Sequence, residues 1–89
     1  MKIKDGFVVQ KVGGSYLAVA VGDRAEEVNA LIKMNGTGAF LWELLSKEEL
    51  DNEALILAMM DEYGIDRETA SRDSLAFVDK LRKSGILDE

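Results

Sequence analysis

The sequence predicts an α+β domain, and three observations lead there. Residues 7–34 are β-patterned, residues from about 37 to 84 are helix-patterned, and the hydrophobic content of 47 % over 89 residues is that of a folded chain. Three antiparallel strands followed by three helices give an α+β domain.

Within the first third, Phe7–Val12 and Tyr16–Val21 are rich in β-branched and aromatic residues and read as strands. Gly13-Gly14 between them can take the positive φ that a tight hairpin turn demands. Gly22-Asp23-Arg24 reads as a second turn, and Val28–Met34 as the third strand. A period of two puts Val28, Ala30, Ile32 and Met34 on the core face, with Asn29, Leu31, Lys33 and Asn35 nearer solvent.

The first helix is expected from about Thr37 to Leu45, capped by Asn35 or Thr37, because a side-chain oxygen there accepts an orphan N–H of the first turn. Asp51 caps the second, with Leu50 and Leu55 as a hydrophobic staple across the cap. Leu55, Ile56, Met59, Met60 and Tyr63 form its apolar stripe, and Gly64 is its C-terminal cap. Asp66 caps the third helix, which runs to about Ser84, with Leu75, Val78 and Leu81 as its buried stripe and Phe77 at the edge. Gly85 stops it, and Ile86-Leu87 packs back as a tail.

Composition narrows the function. With no cysteine and no histidine, disulfides, thiolate metal sites, cysteine nucleophiles and histidine-based triads are excluded. The usual general acid–base side chain near neutral pH is absent as well. The carboxylates sit in runs such as Lys47-Glu48-Glu49 and Asp61-Glu62, which read as solvated faces, and no loop carries the alternating Asp/Asn pattern of a calcium site. No catalytic or metal-binding residue is expected, and no cofactor. The net charge of −6 argues against wrapping a phosphate backbone. The N-terminus lacks the apolar core of a signal peptide and no apolar run has membrane-span length, so a cytoplasmic protein is expected. Residues 1–89 are taken as one domain without linker or repeat.

Two smaller features have structural explanations that outweigh functional ones, and a third leaves both readings open. Asp73-Ser74-Leu75 in an acidic chain is similar to the attachment site of acyl carrier proteins, yet Ser74 lies late in the chain and after β-patterned segments. Met59-Met60 fits core filling better than an adaptable binding surface. A three-stranded sheet leaves an open edge at Val28–Met34, where two readings stand. Lys33 and Asn29 can simply protect it, or a peptide can add there as a fourth strand, held by main-chain bonds and selected by side-chain pockets.

The stretch Met34-Asn35-Gly36-Thr37-Gly38-Ala39-Phe40-Leu41-Trp42-Glu43-Leu44-Leu45 resembles the PqqD-like family, in which a strand ending in Leu-Asn passes through Thr-Gly or Thr-Ala into a helix reading Leu/Ile-Trp-Glu-Leu-Leu. Three further pieces agree in order and spacing: Phe7 to Tyr16 with its Gly-Gly turn, Glu62-Tyr63-Gly64-Ile65-Asp66, and Asp73 to Leu81 followed by Gly85-Ile86-Leu87. Met34, where the family usually has Leu, and Ser74, where an aliphatic residue is common, are departures. The resemblance implies a winged-helix-like arrangement with the sheet as the wing. It also implies a recognition element for ribosomally synthesised, post-translationally modified peptides.

On that resemblance, the chain is a non-enzymatic chaperone. It binds the leader segment of a precursor by β-strand addition and presents it to a maturation enzyme, with a radical S-adenosylmethionine protein among the candidates. The peptide-binding residues carried over are Val28, Asn29, Ala30, Leu31, Ile32, Lys33 and Met34 on the strand, and Ser74, Phe77, Val78, Lys80 and Leu81 on the third helix. Leu31 and Phe77 are the apolar anchors, with Lys33 and Lys80 facing leader carboxylates. A free-standing domain acts in trans, as a monomer or weak homodimer. The alternatives are a winged-helix DNA-binding or regulatory module, which the charge disfavours, and a structural domain that homodimerises through the sheet edge.

Overall fold

The computed structural model describes residues 1–28 and 31–89. In chain order the elements are β1 (Lys2–Ile3), β2 (Phe7–Val12), β3 (Ser15–Ala20), α1 (Arg24–Glu27), β4 (Leu31–Met34), α2 (Gly36–Lys47), α3 (Asn52–Tyr63), α4 (Arg67–Lys83) and β5 (Leu87–Asp88). Strands β2, β3 and β4 form an antiparallel sheet in that order, while β1 and β5 pair separately. This is the winged-helix-like α+β arrangement, a three-stranded wing followed by three long helices.

The wing is built on a two-residue turn. Gly13 takes φ 62°, and the flanking residues Val12 and Ser15 close the hairpin as partners. Each long helix starts on the same device, an Asx side chain accepting the backbone N–H three residues ahead. Asn35 accepts from Gly38 at 2.9 Å, Asp51 from Ala54 at 2.8 Å and Asp66 from Thr69 at 2.8 Å. Gly64 closes α3 at φ 63°. Leu55 is fully buried, and Leu50 packs against the same core, as a staple requires.

The core lies between the inner face of the wing and the three long helices. Ala18, Ile32 and Met34 come from the sheet, Leu41, Trp42 and Leu45 from α2, Leu55 and Met59 from α3, and Val78 and Leu81 from α4. Trp42 packs edge-on against Phe7 of the wing with ring centroids 5.6 Å apart. Ile3, Ile86 and Leu87 seal the opposite end, where β1 meets β5.

Four details depart from the sequence reading. The turn at Gly22-Asp23-Arg24 continues into a helical turn, α1, in which Gly22 and Asp23 carbonyls accept from Ala25 and Glu26. Arg24 holds it down by donating to the Asp5 carbonyl at 2.7 Å and to Glu27 at 2.6 Å. The described part of the third strand is Leu31–Met34, and Val28 is the extended residue that ends α1. Asn29 and Ala30 lie outside the described residues. The tail forms a two-residue strand, Leu87–Asp88, paired with β1, and neither strand is long enough to show a period in the sequence.

The fourth departure concerns α4. Its buried stripe is Ala70, Ser74, Val78 and Leu81, whereas Leu75 is 46 % exposed. Small residues face α3 because Met59 occupies that interface, where the Ser74 hydroxyl donates to the Met59 Sδ at 3.0 Å. A hydroxyl enclosed in this way is shut off from a carrier-protein attachment.

Two predictions follow from this packing. Leu81→Ala removes a fully buried side chain and should cost about 2–5 kcal/mol, whereas Leu75→Ala should stay within about 0.5 kcal/mol; urea midpoints at constant slope will separate them. Across the α3–α4 junction, Arg67 grips Glu53 at 2.6 and 2.9 Å and holds its carboxyl below the usual value. Asp66 is lowered likewise by hydrogen bonds from the Thr69 hydroxyl and N–H. A depressed folded pKa stabilises above the unfolded value and loses that stabilisation as pH falls through the folded one. Melting temperature should therefore drop on acidification below about pH 4, and Glu53→Gln with Asp66→Asn should flatten that limb.

Candidate functional site

The hydrogen-bond phase of the sheet decides what β4 offers to its surroundings. In a two-residue hairpin the closing residues, Val12 and Ser15, are a bonded pair, and bonded and non-bonded pairs then alternate along the ladder. Ser15, Leu17 and Val19 thus direct their backbone groups toward β2, and Tyr16 and Ala18 direct theirs toward β4. Their partners across β3–β4 are Met34 and Ile32. The remaining β4 residues, Leu31 and Lys33, aim their N–H and C=O groups at the other edge, and no described strand lies there.

Beside that edge runs a groove of about 420 Å³ between β4, the start of α2, and α4. Met34, Gly38, Leu41 and Phe77 contribute its apolar part, and Lys33, Asn35, Thr37, Asp73 and Lys80 its polar rim, with Ala76 between. On α4 the lining residues Asp73, Ala76, Phe77 and Lys80 recur at helical spacing, next to the buried stripe. One helix therefore presents two neighbouring faces, one to the core and one to the groove.

The residues singled out from sequence divide accordingly. Leu31 is 65 % exposed and Lys33 is exposed, both on the outer face of β4, while Ile32 and Met34 are buried beneath it. Val28 is half-buried at the end of α1. Phe77 is half-buried and Lys80 exposed, and both line the groove. Ser74, Val78 and Leu81 are corrected: they are 0–1 % exposed and form the core face of α4, which leaves them no surface toward the groove.

Sequence reasoning missed Asn35, Thr37, Gly38, Leu41, Asp73 and Ala76 as lining residues. For Gly38 a signal existed. A glycine in the first turn of a helix costs stability relative to alanine, and here it needs no positive φ. Its role is space, since an added Cβ would lie 3.1 Å from Met34 Cβ and 3.2 Å from Phe77 Cε1.

The groove carries one internal tether. The Lys80 ammonium donates to the Lys33 carbonyl at 2.7 Å, so the side chain spans from α4 to the edge of β4. This agrees with the outward direction that the hairpin phase assigns to Lys33. Among the described residues, no group of three or more Asp and Glu is placed to hold a metal ion. No helix among them is long and apolar enough to cross a membrane.

Comparisons with known proteins bear on the same region. Residues 23–87 match the family described as Coenzyme PQQ synthesis protein D (PqqD). A solved structure described as TbiB1 in complex with the TbiA(beta) leader peptide is similar at 25 % identity and a TM-score of 0.72, covering 99 % of this chain and 95 % of that one. No curated protein sequence matches the chain.

Gly38→Ala provides a check on the groove's geometry. The gain in helix propensity and the close approach oppose each other, so stability should move by no more than about 1 kcal/mol. The Phe77 ring should be pushed toward the groove, read as a shift of its aromatic resonances.

Proposed function

The chain belongs to the PqqD family, and from that premise we propose that it is a peptide-binding recognition protein for the leader segment of a ribosomally made precursor. The peptide adds as a strand to the β4 edge and lays side chains into the groove against α4. The observation that carries this reading is the open edge at Leu31 and Lys33 lying directly beside the groove. A free strand edge supplies register and main-chain bonds for any extended peptide, and an adjoining apolar floor adds selectivity. The similarity to a protein solved with a leader peptide supports the same assignment.

Each backbone bond made at the edge contributes about 1 kcal/mol net. Specific affinity then depends on apolar burial, for which Leu31 and Phe77 are the candidates. Leu31 is exposed in the free protein and gains only when covered. Phe77, packed over Gly38, offers its ring from the floor.

A chain without histidine or cysteine is suited to holding a substrate for another protein's chemistry, and we assign it no catalytic step. The partner it serves is a maturation enzyme acting on the precursor, with radical S-adenosylmethionine enzymes the first class to test. The family does not restrict the product to pyrroloquinoline quinone.

The test is an amide NMR titration with the leader of the precursor encoded beside this chain's gene. Shifts should concentrate in Leu31–Met34 and along Asp73–Lys80. Leu31→Ala should leave folding unchanged, and combined with Phe77→Ala it should weaken binding roughly tenfold or more, by loss of about 1.5–3 kcal/mol of apolar burial. Full affinity in the double variant, with the fold verified by circular dichroism, would overturn the groove assignment.

A further inference from the structure

We propose that Lys80 gates the β4 edge and selects for a leader carrying an acidic residue at the position that meets it. The inference rests on the strand-addition reading above and identifies what that site discriminates. Leu31 and Lys33 each bring one carbonyl to the open edge, and the Lys33 carbonyl is already taken by the Lys80 ammonium at 2.7 Å. An added strand needs that acceptor for one of its own N–H groups, and its path crosses the lysine stem. The ammonium must therefore leave before the strand can zip along β4.

Where the ammonium goes next depends on charge. The residues one helical turn from Lys80 are Ala76, Phe77, Lys83 and Ser84, so α4 provides no carboxylate at the spacings that pair on a helix. Other cations of the chain do have carboxylate partners, Lys83 at helical spacing on α4 itself. Lys47 is held by Glu43, Lys83 by Asp79 and Arg82 by Glu89. Asp73, on the same groove rim two turns away, is engaged by Arg72 at 3.6 Å, and Lys80 has no ion pair among the described residues, being tied instead to a backbone acceptor. A peptide carboxylate at the groove mouth restores a charge-assisted partner, whereas a neutral peptide leaves the exchange uncompensated.

A gate of this kind would also guard the edge against unselective pairing. Charged lysines are a common protection for exposed strands. Here the lysine reaches the edge from a different element and covers the backbone acceptor itself.

Lys80→Met keeps the apolar stem and removes the donor, and Lys80→Arg keeps a donor. The probe is the synthetic leader of the neighbouring precursor, with copies in which each Asp or Glu is changed singly to Asn or Gln. At one acidic position, the neutral copy should bind the wild type roughly threefold more weakly than the native leader. K80M should not distinguish the two, and should bind the neutral copy roughly threefold more tightly than the wild type does. K80R should retain the wild-type preference. Without peptide, the Lys33 carbonyl ¹³C resonance should move in K80M. A resonance that stays in place, or a K80M variant that binds native and neutral leaders equally less well than wild type, overturns the gate alone. Absence of leader binding by every protein overturns the strand-addition reading and the gate with it.

Discussion

A two-residue turn leaves the chain no freedom over which residues close it, and the site depends on this constraint. With Gly13-Gly14 at the tip, the bonded pairs of β2–β3 are determined. The pairs of β3–β4 then follow by alternation. Side-chain direction alternates with the same period. Ile32 and Met34 therefore spend both their backbone groups and their side chains inward, and Leu31 and Lys33 present both outward. A slip of one residue would place Leu31 in the core and turn Met34 to solvent. The burial of Ile32 and Met34 is thus what keeps the open edge in its phase.

The second half of the site depends on where α4 begins. Asp66 fixes the start of the helix, and with it the direction of every later residue. From that start, Ala70, Ser74, Val78 and Leu81 fall against the core, and Asp73, Ala76, Phe77 and Lys80 fall against the groove. Phe77 belongs to both environments, packing against core residues while its ring edge lines the groove. Groove and core share a wall, so changes at Phe77 carry a stability cost, whereas changes at the exposed Leu31 do not.

Much of this architecture was legible in the residues. The hairpin, the three Asx caps, the αL cap at Gly64 and the alternation of Leu31, Ile32, Lys33 and Met34 are local properties, each decided by neighbours within a few positions. Reading α4 by apolar identity alone was misleading. Leu75 looked like core and Ser74 did not, yet Met59 leaves room only for small residues at that contact. The helix α1 was hidden because its anchor, the Asp5 carbonyl held by Arg24, is 19 residues away in sequence.

The sequence by itself determined the hairpin, the three long helices and their caps, the face of β4 that points inward and the family to which the chain belongs, because these are set by local backbone preferences, period and motif order. The tertiary structure alone decided which face of α4 lines the groove, that Gly38 makes space under Phe77, and that Lys80 covers the Lys33 carbonyl. Those three facts concern distances between segments remote in the chain. They arise only once helices of fixed phase are packed on a sheet of fixed register.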